Sequence, residues 1–300
     1  MPHNFKQIPD AGEIFLDHVG WYVANLDEVV DCFSRLGFVV TPVSVHGDRD
    51  PNTGDIIPQG SANRLVMLES GYLEFLTPVD GIDSPVSRHL QDRMNKYPGV
   101  HLVAFAVEDA EAEAVRMLGE GIDLQPTVNL RRRIEAEDGS DAEVVFTVVR
   151  ARFDLYPEGR VQTLTHHTPE HVWQDRYIAS DNGIFGLDEI IYAVEDPSDS
   201  AIRFSEFTGR PHTKSQLGTH IELDRGKLTF ANPQKCAEAL SIAVPSYLPA
   251  IAAIGLLTRD IVSTAQYLAD QKIEFTNLDD NYMKIEPEDS LGTTLIITAA

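Results

Sequence analysis

At 300 residues, with 43% apolar and 24% charged side chains, the chain can bury a substantial core and fits two domains better than one. Its 47 acidic against 24 basic residues leave a net charge of -23, which excludes the cationic surface that nucleic-acid binding needs. The longest apolar stretch, Ala243 to Leu257, is broken by Pro245, Ser246 and Pro249, short of the roughly 20 residues of a membrane helix. Met1 to Asp10 has no basic-then-apolar signal, and Cys32 and Cys236 read as reduced thiols, so the expectation is a soluble cytoplasmic protein.

Taken in chain order, the hydrophobic periodicity changes between two and about 3.6 in a repeating way. Ile14 to Ala24 reads as a strand, Leu26 to Leu36 as an amphipathic helix, and Phe38 to Val45 as a strand. After a polar loop, Arg64 to Glu69 and Tyr72 to Thr77 read as two more, giving the order βαβββ. The plan recurs with a strand at Val100 to Val107, a helix at Ala110 to Leu118 closed by Gly119 and Gly121, and extended runs at Leu124 to Ile134, Val144 to Val149 and Val161 to Thr165. A third copy has a strand at Leu187 to Val194, a helix at Ser198 to Phe207 and a hairpin from His220 to Phe230 turned at Asp224-Arg225-Gly226. A fourth has a strand at Ala250 to Thr258, a helix at Ile261 to Gln271, and strands at Glu274 to Asn277, Tyr282 to Ile285 and Thr293 to Thr298. The polar stretch Ala179 to Phe185 marks the boundary, so residues 1–180 and 181–300 are expected to form two domains.

Four βαβββ modules, Leu16-Asp17-His18-Val19-Gly20 on the first strand, Leu73-Glu74-Phe75 before Thr77-Pro78, and Gly99-Val100-His101-Leu102 opening the second module resemble the vicinal oxygen chelate superfamily, in its glyoxalase-like branch. The phrase from Thr165-His166-His167 to Val172-Trp173-Gln174 also resembles that branch. The plan covers nearly the whole chain, whereas the motifs lie within residues 14–178. The resemblance implies an α+β fold of two glyoxalase/bleomycin-resistance/dioxygenase-type domains, each pairing two modules into a cup-shaped mixed sheet. It also implies one divalent metal ion in the N-terminal cup (Zn, Fe, Mn or Ni), with ligands from the first and fourth strands of each module.

On alternating strands, one inward polar side chain per strand can converge on such an ion. His18, Glu74 and His101 are the candidate metal ligands, and a carboxylate between Leu73 and Phe75 needs a cation or hydrogen-bonding partner if buried. Each histidine alone also reads as a hydrogen-bonded core residue. The fourth position departs from the pattern: counting back from Pro169 reaches Thr165, whose face His167 shares on a regular strand, while His166 faces the other way. His101 stands six residues before Val107, whereas His18 stands five before Val23, which one extra residue or a shifted strand explains. In the third and fourth modules the corresponding positions hold Glu189, Thr229 and Ala253, so the C-terminal domain is expected to be a metal-free structural copy.

Three functions stay open at this point. One is a metal-dependent lyase or isomerase acting on a small oxygenated compound, with Glu74 or His167 moving a proton. Another is an Fe(II) extradiol-type dioxygenase, and the third a metal-free small-molecule binding or resistance protein. Arg64, Trp173 and Arg176 are candidate substrate contacts, although Arg64 also reads as a surface arginine and Trp173 as interdomain packing. The run Arg131-Arg132-Arg133 reads either as a solvated strand end or as a clamp for an anionic substrate. Gly54, Gly60 and Gly71 read as scattered turn residues rather than a phosphate loop. Both a homodimer and a chain whose second module pair replaces a partner are compatible with the sequence.

Overall fold

The computed structural model describes residues 6–49, 53, 56–178 and 180–300. Met1 to Phe5, Gly54 and Ala179, which entered the sequence reading, lie outside them. The first sheet carries β1 (Ile14–Tyr22), α1 (Leu26–Arg35), β2 (Ser44–Arg49), β3 (Ile56–Met67) and β4 (Tyr72–Pro78), then α2 (Pro85–Met94). Its second module is β5 (Gly99–Val107), α3 (Ala110–Gly119), β6 (Val128–Glu135), β7 (Asp141–Arg150) and β8 (Arg160–His166), followed by the one-turn helices α4 (Pro169–Val172) and α5 (Asp175–Ile178). The second sheet repeats the order with β9 (Ile184–Ala193), α6 (Pro197–Thr208), β10 (His212–Lys214), β11 (Thr219–Glu222) and β12 (Lys227–Ala231). After α7 (Pro233–Leu240) come β13 (Ala250–Thr258), α8 (Ile261–Asp270), β14 (Phe275–Asn277), β15 (Tyr282–Ile285) and β16 (Thr294–Ala299).

Each sheet has eight strands, in the orders β2-β3-β4-β1-β5-β8-β7-β6 and β10-β11-β12-β9-β13-β16-β15-β14. First strands pair parallel with the fourth strand of their own module and antiparallel with each other, so every sheet is mixed and the four βαβββ modules form two pairs. The module helices start at side-chain caps: Asn25, Asp109, Asp196 and Asp260 each accept from a backbone N–H in the first turn. In α1 the buried Leu26, Val29 and Phe33 recur at helical spacing and dock on the sheet.

A matching irregularity in the first strands sets which residues face the cups. Asp17 is skipped between the pairs Leu16↔Phe105 and His18↔Ala104, and His101 is skipped between Gly20↔Leu102 and Trp21↔Val100. Asp188 and Ala252 are skipped in the same way in the second sheet. Each is a β-bulge, which puts one extra residue in the strand and re-aims its neighbours. The parallel ladders then begin at His18↔Tyr72, Leu102↔Arg160, Glu189↔Lys227 and Ala253↔Thr294. His18, Leu102, Glu189 and Ala253 are therefore the equivalent positions of the four modules.

One apolar core runs across both sheets, including Trp21, Phe33, Phe75 and Phe105 from the first half and Tyr192, Phe204 and Phe230 from the second. Backbone bonds also cross between the halves, from Leu16 N to Arg225 O (2.8 Å) and from Leu187 N to Ser70 O (2.9 Å). In the second cup, Cys236 of α7, Ile242, Leu240 and Val244 pack on Ile191, Ala253 and Ile296, filling the concave face with apolar side chains. Both cysteines are free. No helix among the described residues is long and apolar enough to cross a membrane.

Candidate active site

The first cup keeps a cavity of about 80 Å³, whose polar lining is His18, His46, Ser61, Tyr72, Glu74, Arg132, Arg150, Arg160 and Gln162. Its centre is a chain of hydrogen bonds that begins at the β1 bulge. The fully buried Asp17 accepts from His18 Nδ1 at 2.7 Å and from His166 Nε2 at 2.9 Å. Burial opposes ionisation of Asp17, but the two imidazoles outweigh it and hold the carboxyl well below the usual carboxylate range. An ionised carboxylate can only accept, so His18 donates from Nδ1 to Asp17 and presents Nε2 to the cavity and Glu74.

His18 Nε2 lies 3.6 Å from Glu74 Oε2, and the imidazole stacks on Tyr72 with ring centres 4.3 Å apart. Glu74 accepts from Asn63 Nδ2 at 2.7 Å, and Asn63 Oδ1 in turn accepts from Arg132 at 3.2 Å. Burial pushes the Glu74 pKa up, yet His18, His46, the Asn63 hydrogen bond and Arg132 together leave it lowered, so this carboxylate is ionised. His46 Nδ1 bonds Ser61 Oγ at 2.9 Å, and burial with the nearby Arg132 pushes the imidazole down to about 3, keeping it neutral.

Three guanidinium groups face the same space. Of the run at 131–133, Arg132 turns inward while Arg131 and Arg133 are exposed, because side chains alternate along β6. Arg150 and Arg160 donate through Nε to the same Gln162 Oε1, at 3.4 and 3.1 Å. Burial and the neighbouring Arg160 push Arg150 down to about 9.

The expected site residues separate. His18 and Glu74 come together; His101 does not join them. It is the β5 bulge residue, donates from Nε2 to Tyr97 O at 2.8 Å, and receives Arg93 Nε on Nδ1 at 3.4 Å. The one-residue excess in the count from His101 to Val107 is this bulge: the counterpart of His18 is Leu102, five residues before Val107. His167 lies past the end of β8, is exposed, and bonds Thr147 Oγ1 at 2.8 Å rather than facing the cavity. His166, expected on the opposite face, is the histidine that reaches the cup side, where it packs 4.8 Å from the Trp173 ring. Thr165 instead caps α3 by accepting from Ala110 N. Trp173 closes the cup beside Tyr72, whereas Arg64 bonds Thr41 O and approaches Asp27 on the helix side, and Arg176 pairs with Glu135. Neither of those two arginines lines the cavity.

The counterpart of Glu74, paired with Ala104 as Glu74 is with Gly20, is Gln162. The four expected ligand positions thus hold His, Glu, Leu and Gln, the glutamine oxygen already engaged by two arginines. Among the described residues no group of three or more His, Cys, Asp or Glu side chains is placed to hold an ion. Only two of those four positions keep donors, the nearby His46 is bonded to Ser61 and Arg132, and three guanidinium groups face the same space, which does not fit a resident divalent cation. In the second sheet, Lys227 Nζ (3.2 Å) and Thr229 Oγ1 (2.5 Å) bond Glu189, so an internal ammonium occupies the place of a ligand.

Sequence reasoning missed Asp17, His46, Asn63, Arg150, Arg160 and Gln162. Arg160 and Gln162 had a signal: two polar residues at period two in the fourth strand of the second module, mirroring Tyr72 and Glu74.

Paired modules, mixed cup-shaped sheets and a polar cavity inside one cup define the class as a vicinal-oxygen-chelate protein. A sequence model of the glyoxalase-like domain matches residues 16–208, more than half of the chain, and the chain belongs to that family. No curated protein matches it. Solved structures share the fold at low identity. A hypothetical protein from Staphylococcus aureus is 10% identical with a TM-score of 0.66, covering 96% of this chain and 100% of that one. A mutant of 4-hydroxymandelate synthase from Streptomyces coelicolor is 16% identical with a TM-score of 0.54, covering 95% and 93%. A catechol 2,3-dioxygenase is 14% identical with a TM-score of 0.53, covering 97% and 89%.

Proposed function

We propose that the chain is an enzyme of lyase or isomerase type that moves a proton on a small oxygenated organic compound, with His18 and Glu74 as the proton-handling pair. The observation that carries this reading is the relay Asp17–His18–Glu74: one buried carboxylate fixes the imidazole tautomer, and the free Nε2 faces a second carboxylate at the cavity wall. A substrate C–H next to a carbonyl would give its proton to His18 Nε2, with the electron pair moving onto the carbonyl oxygen. The imidazolium is stabilised by Asp17 and Glu74, and the oxyanion by the Arg132 guanidinium. In a 2-hydroxy carbonyl compound, passage of the hydroxyl proton to the oxyanion and return of the carbon proton from His18 to the former carbonyl carbon complete an isomerisation. Where the β-carbon bears a leaving group, collapse of the oxyanion expels it, the leaving group takes that proton, and an elimination is complete.

The test is proton exchange in heavy water, followed by nuclear magnetic resonance over a panel of small 2-oxo and hydroxy acids and aldehydes. Wild type should exchange the C–H adjacent to the carbonyl of at least one class. Glu74→Gln and His18→Gln should each slow that exchange by about 10²–10⁴-fold with the fold intact. Exchange at the wild-type rate in both variants would overturn the assignment.

A further inference from the structure

Arg150 and Arg160 are the feature that proton transfer leaves unexplained. They lie on the cup face at the paired ends of β7 and β8 and share one neutral partner, the Gln162 amide oxygen. Arg160 is only 8% exposed, and the hydrogen bonds of the two guanidinium groups go to Gln162 rather than to a carboxylate. Besides Gln162, the buried Arg160 has the Tyr22 hydroxyl and the partly exposed Arg150 feels Glu74 only through its field, so holding two like charges here is costly unless an anion completes the set. This cationic pocket sits inside a protein of net charge -23, so it is a local feature rather than part of a general basic surface.

A second, larger space adjoins it. A cavity of about 690 Å³ lies between β2, β3, β6 and the α4–α5 segment, and its apolar walls include Val43, Val45, Leu65, Ile134, Val144 and Val172. Val43 and Val45 are 48% and 38% exposed, high for valines on a cavity rim. Arg132 lines both spaces, and its hydrogen bonds to Asn63 and His46 form the partition between them.

We propose that the two spaces are one binding site for an amphipathic carboxylate, whose charged head is held by Arg150 and Arg160 and whose apolar body lies in the outer cavity past Arg132. This deepens the proposed function and rests on its reading of the cup as the substrate site. Two guanidinium forks match the planar carboxylate, and the outer cavity offers buried apolar area to a chain or ring of a size the inner space alone does not admit.

The experiment measures binding of straight-chain carboxylates from acetate to octanoate to the full chain by calorimetry, with the matching alcohols and octyl phosphate as controls. Wild type should bind octanoate, with affinity rising about fourfold per methylene and each alcohol bound at least about tenfold more weakly. Arg150→Met and Arg160→Met should abolish the preference for the carboxylate over the alcohol while keeping the chain-length dependence. Leu65→Asp should flatten the chain-length dependence. Thermal unfolding keeps the test independent of folding defects: Arg160→Met should melt at or above the wild-type temperature, because it removes an unpaired buried charge. A lower melting temperature would make the guanidinium structural and overturn the proposal, as would binding indifferent to head-group charge, or octyl phosphate bound as tightly as octanoate. Because binding is read directly, a protein that binds octanoate in this way yet exchanges no proton refutes the proton-transfer reading alone. Exchange on small acids without such binding refutes this one alone.

Discussion

Replacing Asp17 by asparagine preserves its size and removes its charge, which isolates the relay from packing. In the native cup the carboxylate accepts two imidazole N–H groups, at 2.7 Å from His18 and 2.9 Å from His166, with no exposure to water. An asparagine offers one acceptor oxygen and points an N–H₂ group at the other ring. That ring must then exchange tautomers or leave its donor facing a donor. Each charge-assisted bond contributes about 1.5–3 kcal/mol, and disrupting a buried pair costs about 3–5 kcal/mol, a large fraction of the stability of a typical domain. Asp17→Asn should therefore lower the unfolding free energy by about 3–5 kcal/mol at neutral pH, read from urea or guanidinium transitions with an unchanged slope. The pH dependence has a definite sign. The folded pKa of Asp17 is held below its ordinary value of 3.8, so its stabilisation is fully present above that pH and is lost as pH falls below it. The gap between wild type and Asp17→Asn should thus be widest at neutral pH and begin to narrow only below about pH 4. A loss under about 1 kcal/mol, or a gap that does not narrow in acid, would refute the buried relay.

Two further perturbations separate structural from functional roles. Gly71 adopts φ +78°, and a Cβ there would lie 2.8 Å from the Asp17 carbonyl and 3.2 Å from Leu187. Gly71→Ala should destabilise the chain by about 1–3 kcal/mol in thermal unfolding, whereas a change under about 0.5 would show that the halves can separate there at little cost. His101, pushed down to about 3 by burial, is neutral and ties Arg93 to the Tyr97 carbonyl. His101→Leu should lose about 1–3 kcal/mol of stability while exchange kinetics per folded molecule stay at the wild-type level. Lost exchange with intact stability would return His101 to the site.

The modular plan was legible because it rests on periodicity, which is local. Ala250 to Thr258 is a strand with those bounds, and the helices begin at the Asn or Asp caps that their sequences display. The first β2 estimate, Phe38 to Val45, fails because that segment makes only isolated bridges at Phe38 and Val40 before pairing starts at Ser44. α2 went unassigned although Ser84 caps it and Pro85 opens it, since its apolar face is short. Alternation along β1 and β4 carries His18 and Glu74 to one cavity, as the sequence pattern leads one to expect of their placement. His101 and His167 misled because alternation was assumed unbroken: a bulge displaces the first, and β8 ends before the second. Bulges depend on pairing with a distant strand, so no stretch of sequence announces them. Arg150 and Arg160 were missed for a related reason, because their meaning comes from a shared neighbour, Gln162, on a different strand from Arg150.

The claim on which the rest depends is that the cup works through side chains, with His18 and Glu74 facing guanidinium groups rather than joining two more ligands around an ion. Elemental analysis of the purified chain, before and after dialysis against a chelator, tests it most directly when the same samples are assayed for exchange. The account predicts far less than about one divalent ion per chain and exchange unaffected by the chelator. Close to one ion per chain, lost together with activity and absent from a Glu74→Ala variant, would contradict it.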